Sequence, residues 1–594
     1  MRRLLLPIIA LCLTACSGVF ANAPATSAAD ELTNDIARGP FVSAANPMAA
    51  EAGMAVLRRG GSAVDAAVAV QAVLGLVEPQ SSGLGGGAFM VFYDSQTREV
   101  AVYDGRETAP ASVTPNLFME NGAPMDFRDA VLSGRSTGTP GAVAMLAMAQ
   151  AEHGRLPWSN LFGDAERLAR DGFVVPPRLG TFMNTAADRA PQAHTAWADA
   201  YFERPDGTRP RAGEVMTNPA YAETVRHLAE EGPDWFYRGP LAEQMVQVVH
   251  SGDHPGDLST ADLAGYQPMR REAICRPYRL YLICVPPPPS SGVGVLQLLA
   301  MAEHTPDIEL GPDSPQAWVA FARLQRLMYA DRDLYVGDAD HVSVPVTGLL
   351  DPDYVAARAA LVPGVTGPVS AGSPPGAPVE RAPDATHEPA GTSHFVIVDQ
   401  WGNAVSMTTT VESLFGSGRM VGGFFLNNQM TDFSFAPVDA QGRPVANAVA
   451  AGKRPRSSMV PVLILDRQGR LVGALGSPGG NSILAYDAKA LIGVLDWGLS
   501  MQAAFDLPNL VVRGSTVGAD TDLFSPEIQA ALATSGTPLR PNATETSGLH
   551  GAIWRDGRWD AGADRRRDGV SLTQSLGSNA GPARSAGTPS RPAR

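Results

Sequence analysis

The hydrophobic pattern changes texture at residue 363. Before it, helical periods dominate. Asn46-Pro47 opens a helix, with Asn as N-cap and Pro in the first turn, and MAAEAGMAVLRR carries it to Gly60-Gly61. A second helix, SAVDAAVAVQAVLGLV, ends near Glu78-Pro79. Both are rich in small residues, which suits close packing against a sheet. Ser81 to Gly87 is then a glycine turn, and Ala88 to Tyr93 reads as a buried strand. The glycine run is not a phosphate loop, because the Lys-Ser/Thr ending is missing and the order of loop and helix is wrong. Tight backbone packing is its expected role. Residues 140 to 355 read as mostly helical, with interruptions. PDSPQAWVAFARLQRLMYADRDLY is amphipathic, and VPPPPSSG, from Val285 to Gly292, is a rigid, extended break.

Residues 363 to 389 carry Pro363, Pro368, Pro374, Pro375, Pro378, Pro383 and Pro389 among many small residues. This composition predicts a mobile segment without regular structure. Directly after it, Ser393 to Asp399 reads as a strand, Gly402-Asn403 as a turn, and AVSMTTTVE as the partner strand. A flexible leash therefore ends on a hairpin that begins with Thr392. No internal repeat is found.

The ends and the charge narrow the setting. Arg2 and Arg3 precede an apolar run, Leu4 to Leu13, too short to span a bilayer comfortably. It ends in Leu13-Thr14-Ala15-Cys16, which resembles a lipobox with Cys16 as the lipidated first mature residue. The alternative is an ordinary export signal with a chance cysteine. Either way the expectation is export, with a periplasmic, lipid-anchored protein at the outer membrane on the lipobox reading. Residues 1–15 are then the signal, 16–38 a tether, and 578–594 a low-complexity tail. The net charge of -14 and the lack of a long basic run argue against nucleic acid. Of the four cysteines, Cys275 and Cys284 remain after the leader. They form a local disulfide in an oxidising compartment or stay reduced and buried. No metal-ligand spacing appears among the histidines, and no cofactor is expected.

A threonine hydroxyl needs a base. A cut between Gly391 and Thr392 would supply one, since an α-amine has a pKa of about 7.7–8.0. Spacing alone does not single this reading out. The sequence as a whole does, because NPMAAEAGMAVLRRGGSAVDAAVAV, EPQSSGLGGGAFM, YDGRETAP, TGTPGAV, PPPPSSG, YADRDLY, GTSHFVIVD, TTTVESLFGSG, LNNQMTDF, GKRPRSSM and GSPGG occur in order. In this it resembles the γ-glutamyltransferase (glutathione hydrolase) family of N-terminal-nucleophile hydrolases, over roughly Gly39 to Gly569.

The resemblance implies an α+β fold, an αββα four-layer sandwich shared by a large chain, 39–391, and a small chain, 392–577. It implies Thr392 as nucleophile and Thr410 as the hydroxyl that orients it. Arg106 would grip the α-carboxylate of a γ-glutamyl donor, with Ser457 and Ser458 assisting, since a guanidinium fits a carboxylate bidentately. Glu412, Gln429 and Asp432 would surround the donor's ammonium. Some members carry Asn where this chain has Glu412, which alters strength more than role. Gly479 and Gly480 would offer backbone N–H groups to the oxyanion. Partners would be glutathione-like donors and water, amino acids or peptides as acceptors. His394, two residues after Thr392, reads as structural. Between Asp432 and Lys453 no Tyr or Trp stands where the family often carries an aromatic cover, which would favour hydrolysis or bulkier donors. Two alternatives stand beside this reading: a related acylase of glutaryl-β-lactams, and an uncleaved, non-catalytic lipoprotein that binds γ-glutamyl compounds.

Overall fold

The computed structural model describes residues 39–574 except 385, 390 and 543–545. Cys16, the signal, the tether and the tail from 578 lie outside the described residues.

Two antiparallel sheets form the centre. In the seven-stranded sheet the spatial order is Val570–Thr573, Phe41–Ala44, Gly391–Val398, Ala404–Glu412, Gly87–Tyr93, Val100–Gly105 and Met269–Glu272. In the six-stranded sheet it is Arg558–Ala563, His550–Arg555, Leu471–Gly476, Val462–Leu465, Tyr281–Val285 and Ile274–Tyr278. Strand alternation explains the layers. Phe395 and Ile397 point into a core shared with the early helices, while Val396 and Val398 pack between the sheets with Val91, Leu463 and Ala474. On the far side Val462 and Ile464 meet helices Gly292–Ala302, Pro315–Tyr335 and Ile483–Leu495. Helix, sheet, sheet, helix is the αββα arrangement expected.

The helix starts follow local chemistry. Asn46 caps Pro47–Arg58 by accepting from the Met48 N–H, and Ser62 and Asp65 form a reciprocal capping box for Ala63–Val77. The second of these helices is buried on every face, as its uniformly apolar sequence requires. Glycines at 85 and 86 permit close backbone contact: a Cβ on Gly86 would lie 1.9 Å from the Thr410 carbonyl oxygen.

Two expectations need refining. The stretch read as mostly helical is so, but it also carries five short strands, Phe173–Val174, Val215–Met216, Met269–Glu272 and the hairpin of Ile274–Tyr278 and Tyr281–Val285. Their turn uses Arg279 at φ 53°, a left-handed residue without the usual Gly or Asn signal. Cys275 and Cys284 face each other across that hairpin and are joined by a disulfide. The Pro-rich segment lacks regular structure beyond the short turn Val362–Gly364, but its end is not a loose leash. Ala382, Asp384 and Glu388 are buried, and the last two carry ion pairs.

Sequence on both sides of residue 391 shares one ladder. Gly391–Val398 pairs with Phe41–Ala44, and Ala404–Glu412 pairs with Gly87–Tyr93. A chain cut before Thr392 would remain joined through the middle of the sheet.

Candidate active site

Thr392 lies opposite Thr410 at the end of the central hairpin, where the ladder shifts register between Gly391 and Thr392. The Thr410 hydroxyl accepts from Thr392 Oγ at 3.1 Å and from the Glu412 N–H at 2.8 Å, and donates to the Gly391 carbonyl at 2.7 Å. One hydrogen and two lone pairs are thereby used in full. The same hydroxyl bridges Thr392 Oγ and the Gly391 carbonyl beside it. Gly391 is required sterically, since a Cβ there would sit 2.4 Å from both the Glu412 and Ser413 carbonyl oxygens. Arg567 donates to the Thr392 carbonyl at 2.8 Å.

Glu412, Gln429 and Asp432 line the same small cavity as Thr392. Gln429 Nε2 and Arg106 Nη2 both donate to Asp432 Oδ2, at 2.6 and 2.5 Å. Ser413 and Asn428 donate to Glu412 Oε2. The Glu412 and Asp432 carboxyls bond each other, and no N–H donor reaches the buried Glu412 Oε1, Gln429 Oε1 and Asp432 Oδ1. Burial, and then the Asp432 charge, push Glu412 well above the usual carboxylate range. Burial also raises Asp432, against the opposing pull of Arg106. Glu412 holds φ 83°, a strained conformation for a non-glycine residue, which aims its side chain from the end of the strand.

Arg106 is not a free fork. It bonds Asp432 and the carbonyls of Pro455 and Arg456, and its Nη1 lies 3.6 Å from Glu107. Burial raises Glu107 to about 8 in spite of that arginine. Ser457 and Ser458 border the cavity. The PPPPSSG segment supports them: Ser457 N–H donates to the Pro289 carbonyl, and Ser291 Oγ to the Ser457 carbonyl at 2.7 Å. Gly480 borders the cavity with φ 53°, and Gly479, at φ 140°, sits behind it against Tyr486. His394 bonds Thr408 Oγ at 2.9 Å and packs on Gly476, away from the cavity. Burial, and then neighbouring His550, hold it well below the usual imidazole range.

Four charged residues escaped the reading of the sequence: Glu107, Arg332, Glu388 and Arg456. Glu388 borders the cavity beside Thr392 and bonds Arg332 Nη2 at 2.5 Å. Burial would raise this carboxyl, but the Arg332 and Arg456 charges outweigh it and hold it at about 2. Arg332 and Arg456 stand inside motifs already singled out, YADRDLY and RPRSSM, so nearness to recognised residues was the available signal. With Glu388 and Pro389 in its wall, the cavity has only about 20 Å³, room for one water rather than an acyl group. Among the described residues no group of three or more His, Cys, Asp or Glu side chains is placed to hold a metal, and no helix is long and apolar enough to cross a membrane.

The family model described as gamma-glutamyltranspeptidase matches residues 49–573. The glutathione hydrolase proenzyme of Bacillus subtilis (strain 168) is 35% identical over 490 residues, 80% of this chain and 81% of the relative. The Acylase ACY 1 proenzyme of Pseudomonas sp. (strain SE83) is 31% identical over 547 residues, 90% and 93% of the two chains. The crystal structure of cephalosporin acylase from Bacillus halodurans superposes with a TM-score of 0.79 at 26% identity, covering 90% of this chain and 96% of its own.

Proposed function

The chain belongs to the gamma-glutamyltranspeptidase family of enzymes, and from that premise we propose that it cuts itself before Thr392 and then transfers γ-glutamyl groups to water or to amino acids. In the first stage Thr392 Oγ attacks the Gly391 carbonyl carbon. The Thr410 hydroxyl, bonded to both groups, takes the proton from Thr392 and gives its own to the carbonyl oxygen. The C–N bond breaks as its nitrogen gains a proton, giving an ester that water hydrolyses. The products are a Gly391 carboxylate and a free Thr392 amine.

In the second stage that amine is the base for Thr392 Oγ, which attacks the γ-carbonyl of the donor. The N–H groups at Gly479 and Gly480 meet the developing oxyanion. The amine of the donor's leaving group takes a proton and departs, and water or an acceptor amine resolves the γ-glutamyl ester. Arg106, Ser457 and Ser458 belong to recognition of the α-carboxylate, with Arg106 also fixing Asp432. The large and small chains act as one unit.

Relatives of this chain carry glutathione hydrolase and acylase names, so the choice of acyl group rests on the site. One observation carries it: buried oxygens of Glu412, Gln429 and Asp432 face one cavity and no N–H donor reaches them. Crowding two buried carboxyls and an amide oxygen without a cation is costly, and an ammonium supplies three N–H donors and a positive charge. A γ-glutamyl group has that ammonium, and a glutaryl group does not. The test is kcat/KM of the cut protein on γ-glutamyl and glutaryl anilides. Preference for the γ-glutamyl donor by about tenfold or more is expected. Preference for the glutaryl donor would transfer the assignment to an acylase.

A further inference from the structure

Glu388 stands four residues before the nucleophile, yet its surroundings are those of a bound ligand. Arg332 Nη2 reaches Oε1 at 2.5 Å, the Ser458 N–H donates to Oε2 at 3.1 Å, and Arg456 Nε lies 3.6 Å from Oε1. Arg332 Nη2 also donates to Ser458 Oγ at 2.6 Å, and its Nε to Ser291 Oγ at 3.0 Å, so the cradle is held from behind. Both arginines are buried. Arg456 Nη2 is ion-paired with Asp384 Oδ2 at 3.0 Å, while its Nη1 has no hydrogen-bond or ion-pair partner. Two buried guanidinium groups converge on one carboxylate, and one of them has donors to spare.

The occupant is covalently temporary. Its main chain is anchored by Asn481 Oδ1, which accepts from the Glu388 N–H at 2.7 Å, and its carbonyl packs on Gly480. A cut three residues later turns this segment into a chain end. The cations remain, because Arg332 is on the helix Pro315–Tyr335 and Arg456 adjoins Ser457. Arg332 keeps Asp333 at 3.0 Å, but two buried guanidinium groups that lose the carboxylate they share favour a replacement anion.

We propose that Arg332, Arg456 and Ser458 form a carboxylate subsite of the donor pocket, filled by Glu388 in the uncut chain and handed by the cut to the carboxylate of the acyl donor. This rests on the reading that the chain is cut before Thr392 and acts on γ-glutamyl donors. The subsite accounts for the carboxylate end of an amino-acid head whose ammonium end meets Glu412, Gln429 and Asp432. It also relieves Arg106, already committed to Asp432 and two carbonyls, of holding the carboxylate alone. In the uncut chain the same contact excludes donors, since Glu388 stands where their carboxylate would bind.

Two measurements test it. In the uncut Thr392→Ala chain, Glu388→Ala should lower the melting temperature, and acetate should restore it more than chloride at equal ionic strength. Adding Arg456→Met should remove that acetate effect. Absence of an acetate-specific rise would overturn the subsite, whatever the activity of the cut protein. In the cut protein, Arg456→Met should raise KM about ten- to a hundredfold for a γ-glutamyl anilide. It should change KM little for the same anilide with its α-carboxylate converted to a carboxamide. Equal losses on both donors would mean that the arginines are structural and would also overturn it. This second arm decides the matter if Glu388→Ala does not fold. A parent that is uncut, or cut but inactive on both donors, would instead overturn the proposed function, and the acetate arm would still report on the anion site.

Discussion

Replacing Thr410 by Val removes one hydroxyl and almost no volume, yet it touches three bonds beside the proposed cut. The donor to the Gly391 carbonyl at 2.7 Å is lost, and so is the acceptor that holds Thr392 Oγ at 3.1 Å. Loss of one donor to a developing oxyanion typically costs about 10²–10³-fold in rate, or about 2.7–4 kcal/mol. The third bond, from the Glu412 N–H at 2.8 Å, concerns stability. An unpaired buried N–H costs about 1–3 kcal/mol, and it falls here on a residue already held at φ 83°. Thr410→Val should therefore fold with modest loss and cut itself at least about a hundredfold more slowly. Thr410→Ser keeps the hydroxyl and should cut at close to the parental rate. The assay is the fraction cut against time on a denaturing gel after cell-free synthesis, with circular dichroism to confirm folding. A folded Thr410→Val chain that cuts within about threefold of the parent would refute the hydroxyl-bridge argument.

Gly391→Ala should block or greatly slow the cut, because the new methyl meets two backbone carbonyls at 2.4 Å and neither belongs to a flexible side chain; the same gel assay checks it. Stability should fall in mild acid through His550, whose imidazole burial holds at about 4 against an ordinary 6.5. That gap corresponds to about 3 kcal/mol, present in full above pH 6.5 and lost as pH falls toward 4, with about 2 kcal/mol of it going between pH 7 and pH 5. Denaturant titrations of the parent and His550→Gln at those two pH values should show a smaller fall in the variant. Metabolic labelling with a fatty acid should mark the parent and not Cys16→Ser, whereas equal labelling would leave only export.

Much of the frame was readable because it is local. Asn46-Pro47 and Ser62 cap helices through neighbours in sequence, and the unbroken apolar run FVIV marks a buried strand before any partner is known. The hairpin that sets Thr410 opposite Thr392 follows from its turn and strand lengths. The rest of the site depends on contacts that spacing does not encode. Arg332 meets Glu388 across 56 residues and Ser458 across 126. Proline content limits the segment before Thr392 to one short turn and an isolated bridge at Ala382, but it is silent on whether buried charges anchor that segment. Arg106 illustrates the same limit: its motif places it in the site, but only geometry shows that Asp432 and two carbonyls occupy much of its donor capacity.

The proposed self-cutting before Thr392 underlies the proposed base, the proposed nucleophile and the proposed release of Glu388. Its most direct test is the N-terminal sequence of the smaller fragment from purified protein, beside the Thr392→Ala variant. The account predicts a fragment beginning Thr-Ser-His-Phe in the parent and a single intact chain in the variant. A parent with no fragment starting at Thr392, or a variant still split before position 392, would contradict it.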